Sequence, residues 1–576
     1  MEEILKKIIA YLNDDQLIEA LQLCENNTEK KIEHLILNIK GVIFFKQNKF
    51  ELAKENFLKS IDLNQNFIDP YKNLFKIHLK KQDYVSAIEI GKKVIEYENE
   101  KNPLSYFNLA LAFDLSKDYK TAIKLYKIVE KTDFKEKKIL FNNLAKCYFS
   151  DGNVNESTNY YHKALEIDKN DKIIINNLLN LYLRIGKIDE AEYYYSKAKE
   201  IDENYIEFRF NKSEYLLLKD KTDEAIKLLK SIINESKNYI AYTKLAKIYG
   251  RIHNDNKKVI ETIDEALKVY PNMRDLKFTR GILHLVEGEF EKGWDLYELR
   301  PSIQKKKFFE NINLWRGENL KDSSILVTSE QGMGDVVQFS KFLISLSPLC
   351  KKIDFVIYDK LLPLFKKNYK NINICEISEI QNRKYDYRIS IGSLNKYFYK
   401  NVKKSKTSEL INFDNDKKNE WGSILSKKKR NIGLIWSGNF FGPKEPYRSV
   451  ELKNFQKLLK LDLNFYSFQN EIWDRDKNFF QHSNIVDYSQ KSFSDIMAII
   501  QNLDLVISTD TFFLHLSCIV NKETWGLISF NADWRWYDYY KYNPYESLKI
   551  YKQSENRNWD GVIDSIYSDI KNKFSI

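Results

Sequence analysis

The chain's 576 residues include 92 basic and 81 acidic side chains, a formal charge of +11, with 43% hydrophobic and 14% aromatic residues and only 9 Pro and 18 Gly. That length exceeds a single core and predicts three or more folding units, and the composition excludes a disordered chain and favours helices. The excess charge is Lys spread along the whole sequence, which excludes a nucleic-acid footprint; the runs Lys305 to Lys307 and Lys427 to Arg430 read as solvated linkers.

The opening residues place Glu2, Glu3, Lys6 and Lys7 among apolar residues at helical spacing, unlike the basic-then-apolar order of a secretory leader. No apolar run approaches the roughly 20 residues of a membrane span. Cys24, Cys147, Cys350, Cys375 and Cys518 are odd in number, far apart and without a CxxC pair, which predicts reduced thiols. Together these features predict a cytoplasmic protein with no transmembrane segment.

Over the first 300 residues a small residue followed four positions later by a larger one recurs at a period of about 34 residues. The pairs are Ala20/Cys24, Ala53/Phe57, Ala122/Tyr126, Ala191/Tyr195 and Ala225/Leu229, with degraded copies at Ala87/Gly91, Ser157/Tyr161, Val259/Ile263 and Gly293/Tyr297. Twelve positions before the small residues, Gly41, Ala110, Ala145 and Gly281 are again small. Two antiparallel helices approach closely only where one side chain is small, and such hairpins must stack to bury their apolar faces. Asn48, Asp83, Asp118, Gly152 and Gly186 suit the intervening turns. This pattern resembles the tetratricopeptide repeat family, with Pro271 matching its terminal proline. The resemblance implies an α-solenoid over 1–300 that takes peptide or protein ligands.

After a linker over 301–321 the period changes. Strands are predicted at Ile325 to Ser329, Ile353 to Tyr358 and Ile372 to Cys375, with helices at Asp335 to Leu346 and Lys360 to Asn368. This βαβ order predicts a parallel sheet over 322–415. A polar stretch from Lys403 to Lys429 interrupts it, with 416–430 as linker. A second α/β series over 431–576 follows, with strands at Ile432 to Trp436, Phe465 to Phe468, Leu505 to Ser508 and Thr524 to Ser529. Helices are predicted near Glu451 to Leu459, Ser494 to Leu503 and Thr511 to Val520. Ligands of open α/β sheets bind beyond the carboxyl ends of the strands, so those loops carry the candidate chemistry.

The first such loop, Ser329-Glu330-Gln331-Gly332-Met333-Gly334-Asp335, gives a ligand close backbone approach at a helix N-terminus, or is a tight turn with Asp335 as its cap. The second holds Ser437-Gly438-Asn439, then Phe440 to Pro446 with Lys444 inside it, then Tyr447-Arg448-Ser449; Lys444 and Arg448 are placed for an anionic group, or Arg448 only bridges two loops. In the third, Ser508-Thr509-Asp510-Thr511 enters a helix in which Thr511 and His515, spaced i and i+4, share a face suited to phosphate. The fourth, Asp533-Trp534-Arg535-Trp536, is either a stacking surface for a base or sugar or a packed ledge.

Taken together, Gly293-Trp294, Tyr297-Glu298, Arg300, Leu314-Trp315, Gly317-Glu318, Ile325 to Phe339, Ile432 to Asn439, Arg448-Ser449, Asp504 to Leu516, Asp533 to Trp536 and Asn558 to Gly561 resemble, in order, the tetratricopeptide-linked branch of glycosyltransferase family nine, the heptosyltransferase-like group. The resemblance implies a GT-B fold of two Rossmann-like lobes facing across a cleft, and a metal-independent inverting transferase. Its substrates would be a nucleotide-sugar donor, bound mainly by the C-terminal lobe, and a glycan, lipid-linked or protein acceptor; no further cofactor is expected. Carried onto this sequence, Asp335 is the general base, with Glu330 on the same loop in reserve. Asp510, Thr511 and His515 hold the diphosphate. Gly332, Gly334, Gln338, Trp436, Ser437, Gly438, Asn439, Arg448 and Trp534 contact substrate. Phe512 stands where the family has a small residue, and Asn521 where it has glycine. The other reading is a repeat scaffold for protein–protein interaction carrying an inactive nucleotide-binding domain.

Overall fold

The computed structural model describes the chain except for residues 1, 27–28, 99–101, 302–308, 310, 402–406, 426–427, 440–446, 538–544 and 557. Lys305 to Lys307, Lys427 and the Phe440 to Pro446 segment with Lys444 therefore lie outside the described residues. The chain forms two compact units, Met1–Lys221 and Thr222–Ile576.

The first unit is a stack of antiparallel helix pairs, from Glu2–Asn13 and Leu17–Glu25 to the helix Ile206–Leu218. The small residues are where the helices touch: Ala20, Ala53, Ala87, Ala122 and Ala191 are fully buried. At Gly41 an added Cβ would come within 2.4 Å of the Phe57 ring, so only glycine admits that neighbour. The turns follow the same economy. Asp83 and Asp118 cap helix N-termini by accepting from Ser86 N and Thr121 N. Asn48 and Gly186 take the left-handed backbone, at φ 59° and 73°.

The second unit begins with helices Thr222–Ser236, Tyr239–Arg251, Asn256–Val269, Arg274–Val286 and Phe290–Tyr297. Two six-stranded sheets follow. The first contains β1 (Asn313–Leu314), β2 (Ser324–Thr328), β3 (Lys352–Val356), β4 (Asn368–Tyr369), β5 (Ile372–Cys375) and β6 (Tyr387–Ser390), in the order β1-β6-β2-β3-β5-β4. Its pairings are parallel except for the edge strand β4, which runs antiparallel to β5. The second contains β7 (Asn431–Ile435), β8 (Asn464–Ser467), β9 (Ile485–Asp487), β10 (Leu505–Thr509), β11 (Thr524–Ile528) and β12 (Leu548–Lys552), in the order β12-β11-β10-β7-β8-β9 and wholly parallel. The central strands β7, β10 and β11 are buried along their whole length, as their Ile, Leu and Val content requires.

Strand order reverses between β2 and β6 in the first sheet and between β7 and β10 in the second. Loops part to opposite faces at such points and leave a crevice at the strand ends. The helix Met333–Phe339 after β2 meets the helix Phe512–Ile519 after β10 there: a Cβ at Gly334 would lie 3.1 Å from Cδ2 of His515. One apolar core joins the last helices to both sheets, running from Leu285, Trp294 and Tyr297 through Val327 and Phe355 to Leu514 and Trp536.

Two expectations differ. Lys360 to Asn368 is a 3-10 turn, Asp359–Leu364, followed by β4, because Pro363 cannot donate to a continuing α-helix. The polar stretch after Lys403 contains an α-helix, Asn415–Ile424, capped by Asp414 and anchored by the buried Trp421.

Candidate functional site

A cleft of about 1260 Å³ opens at these strand ends. Gly332, Gly334 and Asp335 line it from the first sheet, and Ser437, Gly438, Asn439, Arg448, Asp510, Thr511, His515 and Trp534 from the second. Eleven of the residues singled out in the sequence, spread over 200 positions, thus share one cavity.

The Ser437-Gly438 turn is fixed from behind. Gln469 Nε2 donates to the Ser437 carbonyl and to its hydroxyl, both at 2.7 Å, and Ser449 Oγ accepts from Gly438 N at 3.1 Å. Arg448 does bridge loops, since its Nη1 donates to the Asp510 carbonyl at 3.0 Å, yet the side chain still lines the cleft. Thr511 sits at the N-terminus of its helix in extended conformation with no side-chain cap bond, and it lines the cavity. Phe512 packs beside Phe493 and Phe513, at ring separations of 5.0 and 5.2 Å. Asn521 adopts φ 57°, a left-handed turn that asparagine tolerates better than most residues.

His515 is buried; its Nδ1 lies 3.0 Å from the Tyr545 hydroxyl and its ring stacks on Trp536. Burial drives its pKa down to about 4, against the raising influence of Asp510, so at neutral pH the ring is uncharged and offers a hydrogen bond, not a cation. A stability effect follows. The unfolded chain takes up a proton on this histidine near pH 6.5 and the folded chain only near 4, so folding stability falls as pH falls through that window. The expected loss is about 3 kcal/mol at pH 4 relative to pH 7, by the free energy per pKa unit. It is read as the difference in urea stability between the wild type and His515→Gln across pH 4 to 7; parallel curves would show that the ring is already charged or solvated.

Asp335 has two partners. Its Oδ2 accepts from Gly332 N at 3.0 Å, so it does cap the helix, and its Oδ1 accepts from Arg535 Nη2 at 2.7 Å. Arg535, 8% exposed, also donates to Asp533 Oδ1 at 2.8 Å and to Gln338 Oε1 at 3.1 Å. Burial alone would lower its pKa, but Asp533, Asp335 and Asp510 outweigh that and hold it well above the usual value. Sequence reasoning did not choose Arg535 as a site residue, because its partner lies 200 residues away.

Three expected substrate or catalytic residues face elsewhere. Glu330 is 3% exposed and does not line the cleft; it pairs in bidentate fashion with the buried Arg300 and accepts from Gly392 N at 3.0 Å. Trp436 is fully buried, its indole donating to Asp476 Oδ2 at 3.1 Å. Gln338 stands behind Arg535, 1% exposed. Trp534, although it touches the cleft, is a packed ledge, edge-on to Trp294 at 5.1 Å and to Tyr297 at 5.9 Å.

The opposite wall was not foreseen. Thr243, Lys247 and Arg251 of helix Tyr239–Arg251, with Phe278, Thr279 and Ile282 of helix Arg274–Val286, line the same cavity. This wall is tied to the second sheet by the Tyr537 hydroxyl on Asn254 Oδ1, 3.2 Å, and by Arg251 over the Tyr447 ring. Among the described residues one side-chain trio has metal-ligand spacing, His284, Glu287 and Glu289. Arg280 and Lys292 already neutralise its carboxylates, and its His–carboxylate bond repeats the His78–Asp83 bond of an earlier turn, so it reads as a hairpin brace.

No helix among the described residues is long and apolar enough to cross a membrane, and all five cysteines are free thiols. A tetratricopeptide repeat family model matches residues 35–67, 140–171 and 174–205. Protein FlbA of Caulobacter vibrioides is 27% identical over 105 residues, which are 17% of this chain; the chain spans only 18% of that relative's length. Among solved structures, the C-terminal part of a TPR repeat-containing protein from Cytophaga hutchinsonii is 17% identical with a TM-score of 0.33, covering 42% of this chain and 98% of that one. YrrB, described as a TPR protein with an unusual peptide-binding site, is 18% identical with a TM-score of 0.26, covering 33% of this chain and 96% of that one. The matched segments fall on the stacked helix pairs of the first unit, and this chain therefore carries tetratricopeptide repeats joined to a region of parallel α/β sheets.

Proposed function

We propose that the cleft is the active site of a metal-independent inverting glycosyltransferase of GT-B type, with lobes over 322–415 and 431–576. One observation carries this reading: a single cavity gathers the glycine loop with Asp335, the Ser437 to Asn439 turn, Arg448 and the Asp510-Thr511-His515 helix start. A nucleotide-sugar's diphosphate lies against Thr511, the helix amides and Arg448, which stabilise the charge that grows on the leaving group. Asp335 takes the proton of the acceptor hydroxyl as that oxygen attacks the anomeric carbon and the bond to the diphosphate breaks. The repeat helices that wall the cleft, through Thr243, Lys247 and Thr279, support an acceptor presented from that side. Free thiols and the lack of a spanning helix among the described residues suit a cytoplasmic setting.

A second reading has one observation in its favour: Asp335 is tied to Arg535, which suits a repeat scaffold for protein–protein contacts with a silent nucleotide-binding domain. Thermal unfolding with UDP, GDP, ADP and their sugars separates the two. A nucleotide at about 100 times its Kd adds about 2.7 kcal/mol, a shift of several degrees, and release of sugar from that donor then identifies the reaction. No shift with any nucleotide would leave the scaffold.

A further inference from the structure

We propose that Arg535 couples donor binding to the base: its guanidinium exchanges the Asp335 carboxylate for the donor's diphosphate, and the exchange frees Asp335. This rests on the cleft reading given above.

Arg535 follows β11, on the short turn Trp534–Trp536, yet besides its neighbour Asp533 it pairs with a carboxylate in the first turn of the helix after β2, in the other sheet. Asp335 Oδ1 is held at 2.7 Å, and among the described residues the carboxylate's other partner is the Gly332 amide. While the pair stands, the guanidinium occupies the Asp335 oxygen that would receive a proton. A base needs that cation drawn off.

The charges around the pair supply the means. Asp335, Asp510 and Asp533 all line the cleft within electrostatic reach of Arg535, and Arg448 is bonded to the Asp510 carbonyl, while His515 is neutral. A diphosphate approaching Thr511 meets that acidic surround, and Arg448 and Arg535, the cations bonded to the Asp510 and Asp335 segments, are placed to offset it. Guanidinium has five donors in a planar fork and binds phosphate in the same bidentate manner as carboxylate. Arg535 uses Nη1, Nη2 and Nε on neighbours that the fork can leave singly. Turning Nη2 from Asp335 to a phosphate oxygen breaks one charge-assisted bond and forms another, with no covalent change. Asp335 keeps its amide bond, hence its position, and its Oδ1 is open to an acceptor hydroxyl only once the donor is seated. Without donor the base is masked.

The test is calorimetric titration of the full chain with inorganic pyrophosphate. Asp335→Asn removes the competing charge but keeps the oxygen that caps the helix, so it is expected to bind pyrophosphate at least ten-fold more tightly than the wild type. Asp335→Asn combined with Arg535→Gln is expected to lose that gain, and Asp335→Asn with Arg535→Lys to recover part of it. A purely structural ion pair predicts no tightening. Equal affinity of wild type and Asp335→Asn would overturn the exchange, as would tightening that persists without Arg535. If no variant binds pyrophosphate the exchange is also overturned; stabilisation by a nucleotide would then leave the cleft reading standing, and its absence would remove both.

Discussion

Glu330→Ala is expected to cost about 3 to 5 kcal/mol of folding stability, the range found when one partner of a buried ion pair is removed. Arg300 and Glu330 are 1% and 3% exposed, so neither can turn to water when the other is lost. Arg300 Nε donates to Glu330 Oε2 at 2.9 Å, Nη2 to Oε1, and Nη2 also to Ser393 Oγ at 2.7 Å. The deletion strands a guanidinium and, with it, the Gly392 amide that bonds Oε1. Glu298, 2.9 Å from Nη1, keeps part of the charge balanced, which places the expected cost toward the lower end. Burial opposes the Arg300 charge, and Glu330 first, then Glu298, overrides it to hold the pKa above the ordinary value. Glu330→Gln, which keeps shape and one acceptor, should cost less. Urea unfolding of both variants gives the result as a shift in midpoint at unchanged slope. A loss under about 0.5 kcal/mol, the scale of an ordinary surface change, would mean that Arg300 finds solvent after all.

This pair marks where the sequence stops being legible. Ala53 before Phe57, or Thr511 before His515, can be read because helical spacing alone decides that they share a face. β2, β7, β10 and β11 could be read because a buried parallel strand must be an apolar run, and each begins or ends within one residue of its expected bounds. β1, β9 and β12 could not: both residues of Asn313–Leu314 are exposed, and Leu548–Lys552 alternates with exposed lysines like a surface segment. The site divides along the same line. Loops at strand ends follow from the order of elements, so the glycine loop and the Asp510-Thr511 turn were findable. The pairing of Arg535 with Asp335, the capture of Glu330 by Arg300 and the wall of repeat helices each depend on which distant segments meet, and no local pattern encodes that. Trp436 was misplaced for a related reason: a strand-end residue faces either the cavity or the core, and its bond to Asp476 settles it for the core.

Asp335→Asn is expected to lower sugar transfer about 10²- to 10⁴-fold, the usual contribution of a general base, without raising the KM for the donor. The asparagine oxygen can still accept from Gly332 N, so the helix start that faces His515 at Gly334 keeps its place. The diphosphate side of the cleft, Thr511 and Arg448, is untouched. What disappears is, among the described residues, the carboxylate that lines the cavity from the first sheet, since Glu330 is locked on Arg300. The two halves of the prediction check each other. A fall in kcat with constant or lower KM assigns Asp335 to the transition state, whereas a rise in KM alone assigns it to donor binding. Unchanged turnover would remove it from the chemistry and leave its bond to Arg535 as a strut between the two sheets.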